Sequence, residues 1–127
     1  MFQAPDKKTM RVGETELIVE IADTDILRAK GLSGRKNLNE NSGMLFVYDK
    51  PEIRRFWMKD VYFDLDVLWI SDNMVVGIEE NVLFEQKNGD IARFQSKMAS
   101  DMVLEVNKGW IAKNGVKIGQ IVDIIED

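Results

Sequence analysis

The chain contains neither cysteine nor histidine. Without thiols there are no disulfides, no thiolate nucleophile and no thiolate metal site. Without imidazole the serine and cysteine triads that depend on it are excluded, and the commonest general base and metal ligand are missing. Any catalysis would fall to Asp, Glu, Lys, Arg, Tyr or Ser. The lack of cysteine leaves the compartment open, because disulfide-free domains occur on either side of a membrane. Long apolar runs are missing too. None approaches the roughly 20 residues that span a bilayer, so no membrane insertion is expected. The polar start, Met1 to Arg11, carries no hydrophobic signal core. A native terminus and a trimmed export signal both fit such a start, and localisation stays open. Basic charge is in deficit, 17 Lys and Arg against 22 Asp and Glu, for a formal net charge of −5. Nucleic-acid partners normally require clustered cations, and Lys7-Lys8 and Arg54-Arg55 are only pairs, so no nucleic-acid partner is expected. Adhesion to anionic membranes is disfavoured on the same ground.

What is present is the material of one ordinary folded domain. The 127 residues are 45% apolar and 31% charged, enough for one core. Residues 1–11, with Pro5, Asp6, Lys7 and Lys8, supply no periodic apolar face and read as a flexible leader. Residues 12–127 read as a single mainly-β domain. From Glu16, the residues Leu17, Val19 and Ile21 alternate with Glu16, Ile18 and Glu20, the period of a strand. A two-turn helix should follow, capped by Asp23 or Thr24, with Arg28 and Lys30 at its end and Gly31 stopping it. Ser33 to Ser42 reads as a loop. Met44 to Tyr48 is a covered strand ended by Pro51, and Arg54 to Met58 and Leu65 to Ile70 are the next two. Asp72-Asn73 turns the chain into Met74 to Glu79. Asn88-Gly89 suits a type I′ turn, which predicts that Val82 to Glu85 pairs with Ile91 to Gln95. Val103 to Val106 follows. A second helix is expected from Lys108 to Asn114, capped by Asn107 and ended by Gly115, before a last strand, Ile121 to Ile125. Many short strands without long crossover helices predict an antiparallel jelly-roll-like sandwich or a partly closed barrel with two short helices.

Several of these stretches together resemble a known family. Ala22-Asp23-Thr24, Arg28-Ala29-Lys30-Gly31-Leu32 and Gly43-Met44-Leu45-Phe46-Val47 resemble the opening of the domain of unknown function 192 family. Phe56-Trp57-Met58-Lys59, Leu65-Asp66, the run Val103 to Trp110 and Asn114 to Gly119 continue the likeness in the same order, from about Leu17 to Val122. The resemblance implies a mainly-β, jelly-roll-like domain and no particular activity. Two positions depart from the family pattern: Asp60 stands where Asn is usual, and Asp64 where Pro is usual.

The chemistry-bearing residues concentrate in Arg54 to Ile70. Five of the eleven aromatics lie there, Phe56, Trp57, Tyr62, Phe63 and Trp69, interleaved with Arg54, Arg55, Lys59, Asp60, Asp64 and Asp66. Aromatic faces beside charged groups are the material of a carbohydrate or small-molecule site. On a strand, Arg55, Trp57 and Lys59 point one way and Phe56 and Met58 the other. If Phe56 and Met58 fill the core, Trp57 lies outward between two cations. The expected ligand site is therefore Arg55, Trp57, Lys59 and Asp66. The plainer alternative is that these aromatics are mostly core with charges at the water line. Asp60, Asp64, Asp66 and Asp72 lack the Gly and terminal Glu of a calcium loop and read first as solubilising charge, so neither metal nor cofactor is expected. Glu105 interrupts an apolar run, and alternation puts it with Val103, opposite Met102, Leu104 and Val106. A half-buried Glu bonded to Arg35 or a backbone N–H is expected there. The leading function is a non-catalytic binding or accessory module for a carbohydrate or other small polar ligand. An enzyme using Asp64, Asp66 or Glu105, and a protein-interaction domain, are the alternatives. Oligomeric state cannot be read from the sequence.

Overall fold

The alternation that begins at Glu16 belongs to a strand that buries Leu17, Val19 and Ile21, and the computed structural model describes residues 4–85 and 88–125 of the chain. Among the described residues the elements are β1 (Lys7–Val12), β2 (Thr15–Ala22), α1 (Asp25–Lys30), β3 (Ser42–Glu52), β4 (Arg55–Trp57), β5 (Leu65–Ser71), β6 (Met74–Val82), β7 (Arg93–Gln95), β8 (Ser100–Asn107), α2 (Trp110–Lys113) and β9 (Val122–Ile125). Seven strands form one sheet in the order β6-β5-β8-β3-β2-β1-β9, and β4 and β7 form a separate ribbon. The sheet curls until its two edges meet. Met74 bridges Ile121, and the Val75 N–H donates to the Gln120 carbonyl at 2.9 Å. Of the two architectures expected, the partly closed barrel is the one adopted.

One pairing departs from the antiparallel expectation. β2 and β3 run parallel, from Ile18 opposite Ser42 to Ala22 opposite Phe46. A parallel neighbour needs a crossover, and the segment holding α1 supplies it. The Thr24 hydroxyl accepts from the Leu27 N–H at 3.1 Å, and Gly31 ends α1 at φ 48°, as its sequence implies.

Part of the stretch expected to be a flexible leader is folded. Lys7–Val12 is a strand paired with both β2 and β9, because Met10 and Val12 alternate with Arg11 and enter the core. Pro51 does not end β3, which runs on to Glu52 after a register shift against β8. The Asp72-Asn73 turn forms with both residues at positive φ, 50° and 59°. At Asn88-Gly89, Gly89 has the expected positive φ, but among the described residues the flanking segments share a single bridge, Glu85–Ile91. Gln86 and Lys87 of that turn lie outside the described residues. The Arg93–Gln95 ladder goes to β4 instead. α2 starts later than expected, and the Asn107 side chain donates to the Leu38 and Asn39 carbonyls rather than capping it.

Two apolar layers flank the sheet. One holds Leu17, Leu45, Leu68, Leu104, Val75 and Val122, and α2 closes it with Trp110 and Ile111. Since Val75 and Val122 come from the two edges, this layer fills the inside of the curl. The other holds Met44, Phe46, Val67, Trp69 and Val103. It is roofed by the β4–β7 ribbon, whose Phe56 and Phe94 stack at 5.5 Å, with Phe56 edge-on to Phe46 at 5.1 Å. This roof builds the site described next.

Candidate functional site

The ribbon is amphipathic because its strands alternate. Phe56 pairs with Phe94 and both face the sheet; Arg55 pairs with Gln95 and Trp57 with Arg93, all four on the exposed side. Met58 is buried and Trp57 is half exposed, the orientation its spacing implies. Lys59, in the turn after β4, places its ammonium 5.2 Å from the centre of the Trp57 ring, and the Arg93 guanidinium lies 5.5 Å from the same ring. The two cations are thus held by the indole's π cloud. Trp57 positions cations as much as it offers a stacking platform.

The turn after β4 is tied to the segment after α1. The Gly34 N–H donates to the Asp60 carbonyl at 2.7 Å, and the Ser33 hydroxyl to the Lys59 carbonyl at 3.3 Å. Asp60 adopts φ 59°, a left-handed conformation that Asn and Asp tolerate better than most residues. Between these segments and β3 lies a groove of about 290 Å³, with Arg28, Gly31, Tyr48, Arg55 and Trp57 among its walls and Glu105 in its lining. A second depression of about 440 Å³ lies on the ribbon itself and shares Arg55, Phe56 and Trp57 with the groove.

Glu105 sits on β8 between Met44 and Val67, on the same side of the sheet as Val103. Only 5% of its surface is exposed. The expected partner does not reach it. Arg35 forms a two-pronged pair with Glu20 instead, at 2.5 and 2.8 Å, which lowers the Glu20 carboxyl and raises the guanidinium. Among the described residues the Glu105 carboxyl has no hydrogen-bond or ion-pair partner, and burial pushes it up to about 8. At neutral pH it is an uncharged acid facing the groove. Burial, ahead of the opposing pull of Arg54 and Arg28, also raises Tyr48, and Glu105 adds to that rise. The Arg54 guanidinium lies 3.6 Å over the Tyr48 ring.

Asp66 is not part of this site. It is fully buried at the start of β5, and its two oxygens accept from the N–H groups of Asn81, Gly109 and Ile111, each at 3.0 Å. It joins β6 to the start of α2 and stands where Asn107 was expected to cap. Asp64 accepts from the Phe84 N–H at 3.0 Å and faces Lys108 at 3.8 Å. Asp66, expected in the ligand site, and Asp64, one of the carboxylates of the enzyme alternative, are thus both spent on the scaffold. Among the described residues no three His, Cys, Asp or Glu side chains converge as a metal site would need. Of the four residues expected, the structure brings Arg55, Trp57 and Lys59 together and adds Arg93 and Glu105. Arg93 carries no local signal, because the β4–β7 pairing joins residues far apart in sequence. Glu105 was visible as a polar break in an apolar run.

Among the described residues no helix is long and apolar enough to cross a membrane. No curated protein matches the chain. It is similar to the crystal structure of a protein from Sinorhizobium meliloti described as a candidate transcription regulator, with a TM-score of 0.87 and 28% identity over 98% of each chain. It is also similar to a protein of unknown function from Novosphingobium aromaticivorans, with a TM-score of 0.79 and 29% identity over 92% of this chain and 84% of that one. The profile of the DUF192 family, described as an uncharacterized ACR, matches residues 8–124, and with nearly the whole length covered the chain belongs to that family.

Proposed function

We propose that the protein is a non-catalytic binding module whose groove beside Trp57 takes a carbohydrate or similar small polar ligand. The observation that carries this reading is Glu105. An unpartnered carboxyl in the interior costs stability that an apolar side chain at the same place would not. A ligand hydroxyl reaching the groove would give it the hydrogen bond that the protein withholds. The surrounding Tyr48, Phe56 and Trp57 supply the apolar edges such ligands use. The acidic balance of the chain gives no support to direct nucleic-acid binding, whatever the description of the Sinorhizobium meliloti relative.

A second reading has one observation in its favour. An acid held protonated near neutral pH in a groove is what general-acid catalysis uses. No second carboxylate lines that groove, however, and Asp64 and Asp66 are engaged elsewhere. Glu105 therefore lacks the paired base or nucleophile that hydrolytic carboxylate chemistry needs. Calorimetric titration of a panel of soluble glycans against the wild type, Trp57→Ala and Glu105→Gln tests both readings. Saturable binding, unchanged glycans by chromatography and weakening in both variants are expected. Turnover of any glycan that Glu105→Gln abolishes would establish the enzyme instead, and failure of the whole panel would remove the support for binding.

A further inference from the structure

The arginines divide into two groups. Arg11 pairs with Glu16, Arg28 with Asp25, Arg35 with Glu20 and Arg54 with Glu52. These are four of the chain's six. The other two, Arg55 and Arg93, have no carboxylate within ion-pair distance among the described residues, and neither has Lys59. Lys59 and Arg93 lie over the Trp57 ring, and Arg55 stands two residues before it on the same exposed side of β4. In a chain with five more acidic than basic side chains, three cations without a carboxylate partner thus gather along one short ribbon. A cluster of like charges is unfavourable unless something of opposite sign joins it, and the indole offsets only part of that repulsion. Arg55 and Trp57 also line the groove into which Glu105 faces, and Arg93 lines the adjoining depression that shares them.

Resting on the binding reading above, we propose that the ligand is a hydroxylated anion, a carboxylate- or phosphate-bearing sugar, whose charge is held by Arg55, Lys59 and Arg93 while its hydroxyls reach Glu105. Arg55 and Arg93 offer planar, forked donors suited to either oxyanion, and Lys59 adds a point charge. Trp57, which lines both the groove and the adjoining depression, acts as a positioning residue that holds Lys59 and Arg93 against its ring. Glu105, bonded to ligand hydroxyls, is the part that tells a sugar acid from a bare ion.

The test is calorimetric titration with glucuronate oligomers, glucose 6-phosphate, uncharged maltotriose and inorganic sulfate. One of the two charged sugars is expected to bind roughly tenfold or more tightly than maltotriose. Which one does so identifies the oxyanion. Its affinity should fall as salt rises from about 50 to about 500 mM. The double variant Arg55→Ala/Arg93→Ala should lose that advantage while melting at the wild-type temperature, since both side chains are exposed. Glu105→Gln should weaken the charged sugar and leave any sulfate binding unchanged. Maltotriose binding as tightly as the charged sugars, with no effect of the double variant, would overturn the anionic ligand and leave the binding module standing. Sulfate matching the charged sugars would reduce the site to a bare cation patch and overturn the proposal. If no probe binds, both readings fail together.

Discussion

Replacing Glu105 with Gln should make the protein more stable at neutral and alkaline pH. The reasoning starts from the carboxyl's raised value, about 8 in the folded chain against an ordinary 4.5, caused by burial. Between those values the folded state holds a proton that the unfolded state has released. Each pH unit in this window then costs about 1.4 kcal/mol of stability as pH rises, since the unfolded state binds fewer protons. Stability from this group is thus complete below pH 4.5, falls through the window and levels off above pH 8. Integrated from about pH 5 to about pH 8, the loss is roughly 3–4 kcal/mol, a large share of the 5–15 kcal/mol typical of a domain. For a chain of this size that corresponds to a fall of about 10–20 °C in Tm. Gln keeps the shape of the side chain and cannot ionise. Urea unfolding at closely spaced pH values should show the wild type declining over this range and Glu105→Gln nearly flat, with the two curves converging in mild acid. Parallel curves for the two proteins, or a wild type that gains stability from pH 5 to pH 8, would refute the assignment of Glu105 as a buried uncharged acid.

Three further substitutions probe the scaffold. Asp66→Asn points an amide donor at backbone donors where a carboxylate now accepts three bonds, so a loss of about 2–4 kcal/mol in denaturant unfolding is expected. Arg35→Ala leaves Glu20 without its lowering partner. The wild type should lose stability as pH drops below 4.5, where the unfolded carboxylate takes up its proton first, and the variant should lose about 1 kcal/mol less over the same acid titration. Gly43→Ala would put a methyl 2.7 Å from the Glu105 backbone carbonyl, and forcing β3 and β8 apart there should cost about 1–3 kcal/mol in thermal unfolding.

The local features of this fold were legible because their causes are local. Leu17, Val19 and Ile21 declare a buried face by alternation, Thr24 and Gly31 bracket α1, and Asp72-Asn73 can adopt the positive φ its turn needs. The pairings were not legible, because backbone hydrogen bonds between distant strands leave no periodic mark. Asn88-Gly89 has the chemistry of a tight hairpin, yet the Asn88 side chain accepts from the Asp90 N–H, and the chain beyond joins β4. That misplaced partner hid Arg93 from the site. Met10 lay among the charges of the expected leader and Val12 just past its end, and two buried residues are too few to set a period. Asp66 and Glu105 were harder still. Both are single acids in apolar surroundings, and only the positions of the Asn81, Gly109 and Ile111 N–H groups decide which one is structural.

That difference also fixes how the groove should respond to pH. Asp66 has three donors to offset its desolvation and stays out of any ligand's reach, whereas Glu105 has none and meets the ligand as a protonated acid below about 8. A protonated carboxyl can donate to the hydroxyls of an acidic sugar; an ionised one repels the charge that Arg55, Lys59 and Arg93 attract. Affinity for the charged sugar should therefore rise as pH falls from about 9 to about 7. Arg55→Ala should weaken binding at both ends of this range without changing the slope, because it alters the anchor and leaves the titrating group in place. Glu105→Gln should abolish the slope. Affinity that instead rises with pH would mean that the sugar's hydroxyls donate to an ionised Glu105, and would overturn the protonated acid as the binding form.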